Sequence, residues 1–161
     1  MDVDIKRVEE FFFKAMLRGW AGNGKYIEIF GRAGYKRFVF SDGDFHLVDE
    51  YCVNAESKKS FGTTTIWFRN IPVWVMTYGG WYEKWAIDFV KKALLEAYQA
   101  GIFMGGRGPT KFYPGGELIY VNHIGLNSFG DFSGLERVSG GRKQHPGEEG
   151  GYHQYWGVSL I

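Results

Sequence analysis

The chain has 161 residues, enough for one domain with a real core, and 19 Lys and Arg set against 18 Asp and Glu leave a formal net charge of +1. That balance supplies no field to hold a nucleic-acid backbone or an anionic membrane surface. Cys52 is the only cysteine, which excludes an internal disulfide and a thiolate zinc centre and fits a reducing, cytoplasmic setting. The unusual figures are 24 Gly beside 14 Phe, 10 Tyr and 6 Trp: many tight turns around a ring-filled core.

In chain order, the acidic start Met1-Asp2-Val3-Asp4 is followed by no apolar run of signal-peptide length, and no later stretch is long enough for a membrane span. Ile5, Val8, Phe12, Ala15 and Met16 recur at helical spacing, with Asp2 or Asp4 as the cap and Gly19 as the stop. Two hairpins follow. In the first, Ser41-Asp42-Gly43-Asp44 separates Arg37–Phe40 from Phe45–Val48, with Asp-Gly as the cue; in the second, Arg69-Asn70-Ile71-Pro72 joins Thr63–Phe68 to Val73–Tyr78. Pro72 belongs at a strand start or an edge.

A second helix is expected over residues 83–100, with Trp85, Phe89, Val90, Ala93, Leu94 and Ala97 on one stripe and Gly101 ending it. Beyond it, Leu118–Asn122 and the stretches 129–138 and 152–160 read as strands. The Gly- and charge-rich segment 139–151 reads as a long loop. The fold class is therefore α+β: an antiparallel sheet of about six to eight strands with two helices, forming a single domain over residues 1–161.

The strongest organisational signal is internal. Phe40-x-x-Gly43-Asp44-Phe45-x-Leu47-Val48-Asp49 reappears in chemical type as Tyr113-x-x-Gly116-Glu117-Leu118-x-Tyr120-Val121-Asn122. Gly62-x-x-x-Ile66 matches Gly134-x-x-x-Val138, and Trp74-x-x-x-Tyr78-Gly79 matches Tyr152-x-x-x-Trp156-Gly157. An internal duplication of a helix-plus-hairpins unit, with halves 1–80 and 81–161, follows. Thr64 then stands where the other half has Glu136, and Val75 where it has His153. Such divergent positions are where a site would specialise.

The run Ile66-Trp67-Phe68-Arg69-Asn70-Ile71-Pro72-Val73-Trp74-Val75-Met76-Thr77-Tyr78-Gly79 resembles the core of a family of uncharacterised prokaryotic domains, and Phe129-x-x-Phe132-x-Gly134-x-Glu136-x-Val138 resembles that family's second block. The resemblance covers residues 20–158. Members occur alone or C-terminal to a helix-turn-helix in transcription regulators, so it implies a regulatory or ligand-sensing role and no particular catalytic residue. The family's first block carries a glutamate where this chain has Thr64, and the short N-terminal helix leaves no room for a helix-turn-helix of its own.

Candidate chemistry is sparse. His46, His123, His145 and His153 form no i,i+4 pair, so no metal site and no cofactor are expected. Asp131 and Glu136 are five apart on one strand and face opposite ways. With His123, His153 and Asp49, Glu136 forms an acid/base set only if the halves bring these groups together. Gly105-Gly106-Arg107-Gly108-Pro109-Thr110-Lys111 has the wrong register for a phosphate loop, leaving Arg107 and Lys111 at most a weak anion site. Tyr35-Lys36-Arg37-Phe38-Val39-Phe40 lacks the glycines of an RNA-recognition strand.

These readings converge on a module that binds a small apolar or aromatic molecule on the concave sheet face or between the halves. Trp74, Tyr78, Tyr120, Tyr155 and Trp156 would be its rings, and Glu136 and His153 its polar groups. The alternatives are an enzyme using Glu136 with His123 and His153, and an interaction or homodimer surface of exposed aromatics; the residues favour a non-catalytic role.

Overall fold

The computed structural model describes residues 3–161. Asp2, one of the two expected caps, lies outside them. Asp4 is the N-cap of helix α1 (Ile5–Met16): its side chain accepts from the Lys6 amide, satisfying one of the orphan donors of the first turn. Val8, Phe11, Phe12 and Ala15 form its buried stripe. Helix α2 (Ile87–Ala100) follows a short 3₁₀ turn at Lys84–Ala86 and ends at Gly101, whose φ of 64° is the left-handed cap position that a Cβ disfavours.

Among the described residues nine antiparallel strands form one sheet, where about six to eight were expected. They are β1 (Ile27–Glu28), β2 (Tyr35–Asp42), β3 (Phe45–Val53), β4 (Lys59–Phe68), β5 (Ile71–Tyr82), β6 (Lys111–Phe112), β7 (Leu118–Ser128), β8 (Asp131–Gly140) and β9 (Glu149–Ser159). The two strands the sequence does not announce, β1 and β6, have two residues each and occupy the two edges, too short for any alternation to register.

The order β1-β2-β3-β4-β5-β9-β8-β7-β6 means two meanders meeting at β5 and β9, with α2 as the crossover between them. At that seam Tyr78 stands opposite Tyr155, and Gly80 opposite His153. The expected four-residue link at residues 69–72 is tighter in the structure. Phe68 pairs with Ile71 across Arg69 and Asn70, which both take positive φ (48° and 65°). That is the twist-matched geometry of a two-residue hairpin, here without glycine. Pro72 enters β5 at its start, beyond the end of β9, so its missing N–H removes no bond from the seam.

Both helices cover one face of the sheet. Trp74 is the centre of the core under them: fully buried, stacked on Phe129 and Phe132 with ring centroids 5.2 Å away in each case, and giving its indole N–H to the Phe129 carbonyl at 2.9 Å. Phe12 of α1 packs on Trp74 and on Tyr98 of α2, tying the two helices to the same aromatic cluster. The opposite face carries no helix, and Phe61 and Trp156 are about half exposed there (55% and 49%). Among the described residues no helix is long and apolar enough to cross a membrane.

Candidate functional site

Period-two alternation puts two short rows of side chains, polar except for Met76, on the helix-covered face. Asp49, Thr64 and Met76 stand side by side across β3, β4 and β5; Asn122, Glu136 and His153 do so across β7, β8 and β9. Burying such groups is costly unless each finds partners, and here nearly all do.

In the first row, the Asp49 carboxylate accepts three hydroxyls: Tyr26 at 2.6 Å on Oδ2, Tyr78 at 2.7 Å and Thr64 at 2.7 Å on Oδ1. Burial raises the carboxyl's pKa, and the three hydroxyl donors together with the charge of Arg107 work the other way. Tyr78 reaches Asp49 by lying across Gly62, where an added Cβ would sit 2.5 Å from the Tyr78 ring. Gly62→Ala is therefore expected to displace Tyr78 from Asp49 and cost about 1–3 kcal/mol. Urea unfolding measures that cost, and the loss should largely vanish in a Tyr78→Ala background.

In the second row, Tyr155 lies across Gly134 and donates to Asn122 Oδ1 at 2.7 Å, while Asn122 Nδ2 donates to the carbonyls of Met104 and Gly108. Glu136 is completely buried. It accepts Tyr82 and both Nε and Nη2 of Arg107 on Oε1, and Tyr120 on Oε2. Burial alone would push the Glu136 carboxyl up, but the Arg107 guanidinium, with the Tyr120 hydroxyl, holds it below the usual carboxylate range.

His153 bonds through Nε2 to Ser60 Oγ at 3.1 Å, while its Nδ1 has no hydrogen-bond partner and stands 4.0 Å from Glu136 Oε1. Burial, reinforced by the charge of Arg107, pushes the imidazole down to about 3 against the pull of Glu136. The ring is then neutral at pH 7, and the 4.0 Å approach to Glu136 is not an ion pair.

Beside these rows opens a pocket of about 380 Å³. Its walls are mostly apolar or aromatic: Met16 and Trp20 from α1 and the following loop, Tyr26, Tyr51, Met76, Tyr78 and Tyr82 from the sheet side, and Ile87, Leu94 and Tyr98 from α2. Its buried polar wall is Asp49, Thr64, Arg107 and His153 with half-buried Ser60, and Asn54, Lys58, Glu83 and Lys84 also border it. A concave apolar chamber with a few converging polar groups is the usual form of a small-molecule site.

Of the site residues read from the sequence, Tyr78, His153 and the acid/base candidate Asp49 line this pocket, and Glu136 lies behind its wall as the partner of Arg107. The others are elsewhere. Trp74 and Tyr120 are fully buried, one in the aromatic core and one bound to Glu136, so neither borders the pocket. Tyr155 is buried on Asn122, and Trp156, its neighbour in β9, points to the uncovered face, since adjacent strand residues cannot both face inward. His123 is exposed on that same outer face, next to the inward Asn122, and cannot join Glu136 and His153 in an acid/base set.

Sequence reasoning did not assign the pocket to Trp20, Tyr26, Tyr82 and Tyr98. Arg107 was read only as a weak anion group, paired with a Lys111 that lies in edge strand β6. The one local signal for Arg107 was a lone guanidinium in a run of glycines. A second groove, on the uncovered face between Phe61, Tyr152 and Trp156, is floored by Gly79 and Gly134 and presents no buried charge. Among the described residues no group of three or more His, Cys, Asp or Glu is placed to hold a metal ion. Comparison of the chain with protein-family models, with curated proteins and with solved structures finds no match.

Proposed function

We propose that the protein is a small-molecule binding module whose ligand, apolar or aromatic in its body, occupies the pocket between α2, the segment after α1 and the inner face of β3–β5. The observation that carries this reading is the pocket itself: about 380 Å³ of ring-lined space ending on a wall of buried polar groups. Nothing in the packing of the core requires a chamber there, and native cores elsewhere close to crystal density. A regulatory or sensing role fits the resemblance of residues 66–79 and 129–138 to domains found in transcription regulators.

The same reading takes the two meanders as copies of one unit. Gly62, Thr64, Asp49 and Tyr78 hold the same mutual relations as Gly134, Glu136, Asn122 and Tyr155: a tyrosine crossing a glycine to reach an acid or amide on the next strand but one. In that register Tyr78 answers to Tyr155 and Met76 to His153, one residue away from the match that set Tyr78 against Trp156. The pocket uses the Asp49 row, while the Glu136 row supplies the charge that fixes Arg107 behind it. An enzyme built on Glu136 with His123 and His153 has less support, because His123 is on the other face and every hydrogen-bonding position of Glu136 Oε1 is occupied.

The test is titration with N-phenyl-1-naphthylamine, a neutral dye that brightens on leaving water. One saturable site is expected, with a stabilising shift in Tm. Ile87→Trp, which fills the pocket from its half-exposed rim, should remove that site without unfolding the protein. Non-saturable binding, or binding untouched by Ile87→Trp, contradicts the proposal.

A further inference from the structure

The donors and acceptors on the pocket wall are largely paired, and besides His153 Nδ1 two positions are left over. Arg107 spends Nε and Nη2 on Glu136; no described residue accepts from Nη1, although the side chain is only 9% exposed and borders the pocket. Asp49, a carboxylate with about four lone-pair positions, fills Oδ1 with Thr64 and Tyr78 but Oδ2 with Tyr26 alone. Two residues of the same wall, Arg107 as donor and Asp49 as acceptor, therefore have hydrogen-bonding capacity that no described residue takes up.

Charge narrows the choice further. The buried set holds one guanidinium against the carboxyl groups of Glu136 and Asp49, with His153 neutral. A ligand anion would bring further negative charge to a cation that Glu136 already neutralises, in a site where burial makes such repulsion costly. A ligand cation would meet Arg107. A neutral hydroxyl suits both leftover groups, because its oxygen accepts from Nη1 while its proton goes to Asp49 Oδ2.

Resting on the pocket reading above, the geometry points to a neutral, hydroxyl-bearing ligand, a phenol or alicyclic alcohol, held by Arg107 Nη1 and Asp49 Oδ2 with its apolar body against Met76, Ile87 and Leu94. The hydroxyl is what distinguishes the ligand from any other apolar molecule of its size. Arg107 and Asp49 act as binding groups, and no bond of the ligand is broken.

The experiment keeps the ring constant and varies its polar tip, using the unmodified protein at pH 7.5: naphthalene, 2-methoxynaphthalene, 2-naphthol, 2-naphthoate and 2-naphthylmethylammonium. 2-Naphthol is expected to bind about tenfold tighter than naphthalene, the worth of one or two net hydrogen bonds. 2-Methoxynaphthalene, which accepts but cannot donate, should fall between them or match naphthalene, and both charged analogues should bind more weakly than 2-naphthol. Equal affinity of 2-naphthol and its methyl ether, or tighter binding of either charged analogue, overturns the hydroxyl assignment while leaving the pocket standing. No binding by any member overturns both. In Asp49→Asn the advantage of 2-naphthol should disappear while naphthalene still binds, which also reports that the variant is folded; an intact advantage there removes Asp49 from the site. Should Asp49→Asn not fold, the ligand series alone decides.

Discussion

Glu136→Gln is expected to destabilise the protein by about 3–5 kcal/mol, the usual cost of breaking a buried ion pair from one side. For a chain of this size that corresponds to a fall in Tm of roughly 10 °C or more. The substitution hardly changes volume, so the loss is electrostatic. Arg107, with a side chain only 9% exposed, keeps its charge and loses its counter-charge, and one of the two oxygens that receive Arg107, Tyr82 and Tyr120 becomes a donor. Arg107→Met should cost a similar amount, because it leaves the carboxylate alone.

The double variant Arg107→Met/Glu136→Leu should cost clearly less than the sum of the singles, since an apolar pair needs no compensating charge. It will not be neutral, because Tyr82 and Tyr120 lose their acceptor. Urea unfolding of the four proteins measures this directly. A cost below about 1 kcal/mol for Glu136→Gln would mean that water reaches the pair and that it behaves like a surface salt bridge.

The second large effect is acid destabilisation carried by His153. Its folded pKa of about 3 lies below the reference value of 6.5, so between those values the unfolded chain binds a proton that the folded one refuses. The stabilisation is thus fully present above pH 6.5 and is lost as pH falls toward 3, at up to about 1.4 kcal/mol per pH unit and on the order of 5 kcal/mol in all. The groups that face the ring set this: burial and Arg107 oppose its charge, Glu136 favours it, and Ser60 and the Tyr82 ring, 4.3 Å away, hold it in place.

Glu136 adds in the same direction, because its folded pKa is lowered. Asp49 acts oppositely, because its pKa is raised. Unfolding free energies between pH 5 and 7.5 should rise with pH in the native protein, and His153→Phe should flatten that rise by about one proton's worth. In NMR titrations the His153 ring should stay neutral down to pH 5. A midpoint near 6.5 would place the imidazole in water and contradict the buried arrangement.

How far the fold was legible depended on whether its signals were local. Asp42-Gly43 between alternating runs announced the β2–β3 hairpin, and Gly101 announced the end of α2, because each glycine supplies a backbone conformation needed at that spot. Both hairpin turns are two residues shorter than the sequence suggests, Gly43-Asp44 and Arg69-Asn70, and in the second the positive φ falls on residues with no glycine to advertise it. Strands β1 and β6 exist only by pairing to longer neighbours.

For the site, strict alternation along each strand is the rule that sorts the candidates. Tyr155 and Trp156 cannot share a face, nor can Asn122 and His123, so one of each pair had to leave. Glu136 and His153 were visible as odd residues against apolar surroundings. Arg107 was not, because what makes it matter is a contact between residues 29 positions apart, brought about by the loop after α2 folding back over β8. The aromatic lining from Tyr26, Tyr82 and Tyr98 is likewise a product of topology, since in sequence these rings look like any of the other aromatics of the core.

The most direct test of the binding site is a crystal of the protein soaked with 2-naphthol. Ring density is expected in the pocket against Met76, Ile87 and Leu94, with the hydroxyl within hydrogen-bond distance of Arg107 Nη1 and Asp49 Oδ2. Density on the uncovered face at Phe61 and Trp156 with an empty pocket would contradict this placement.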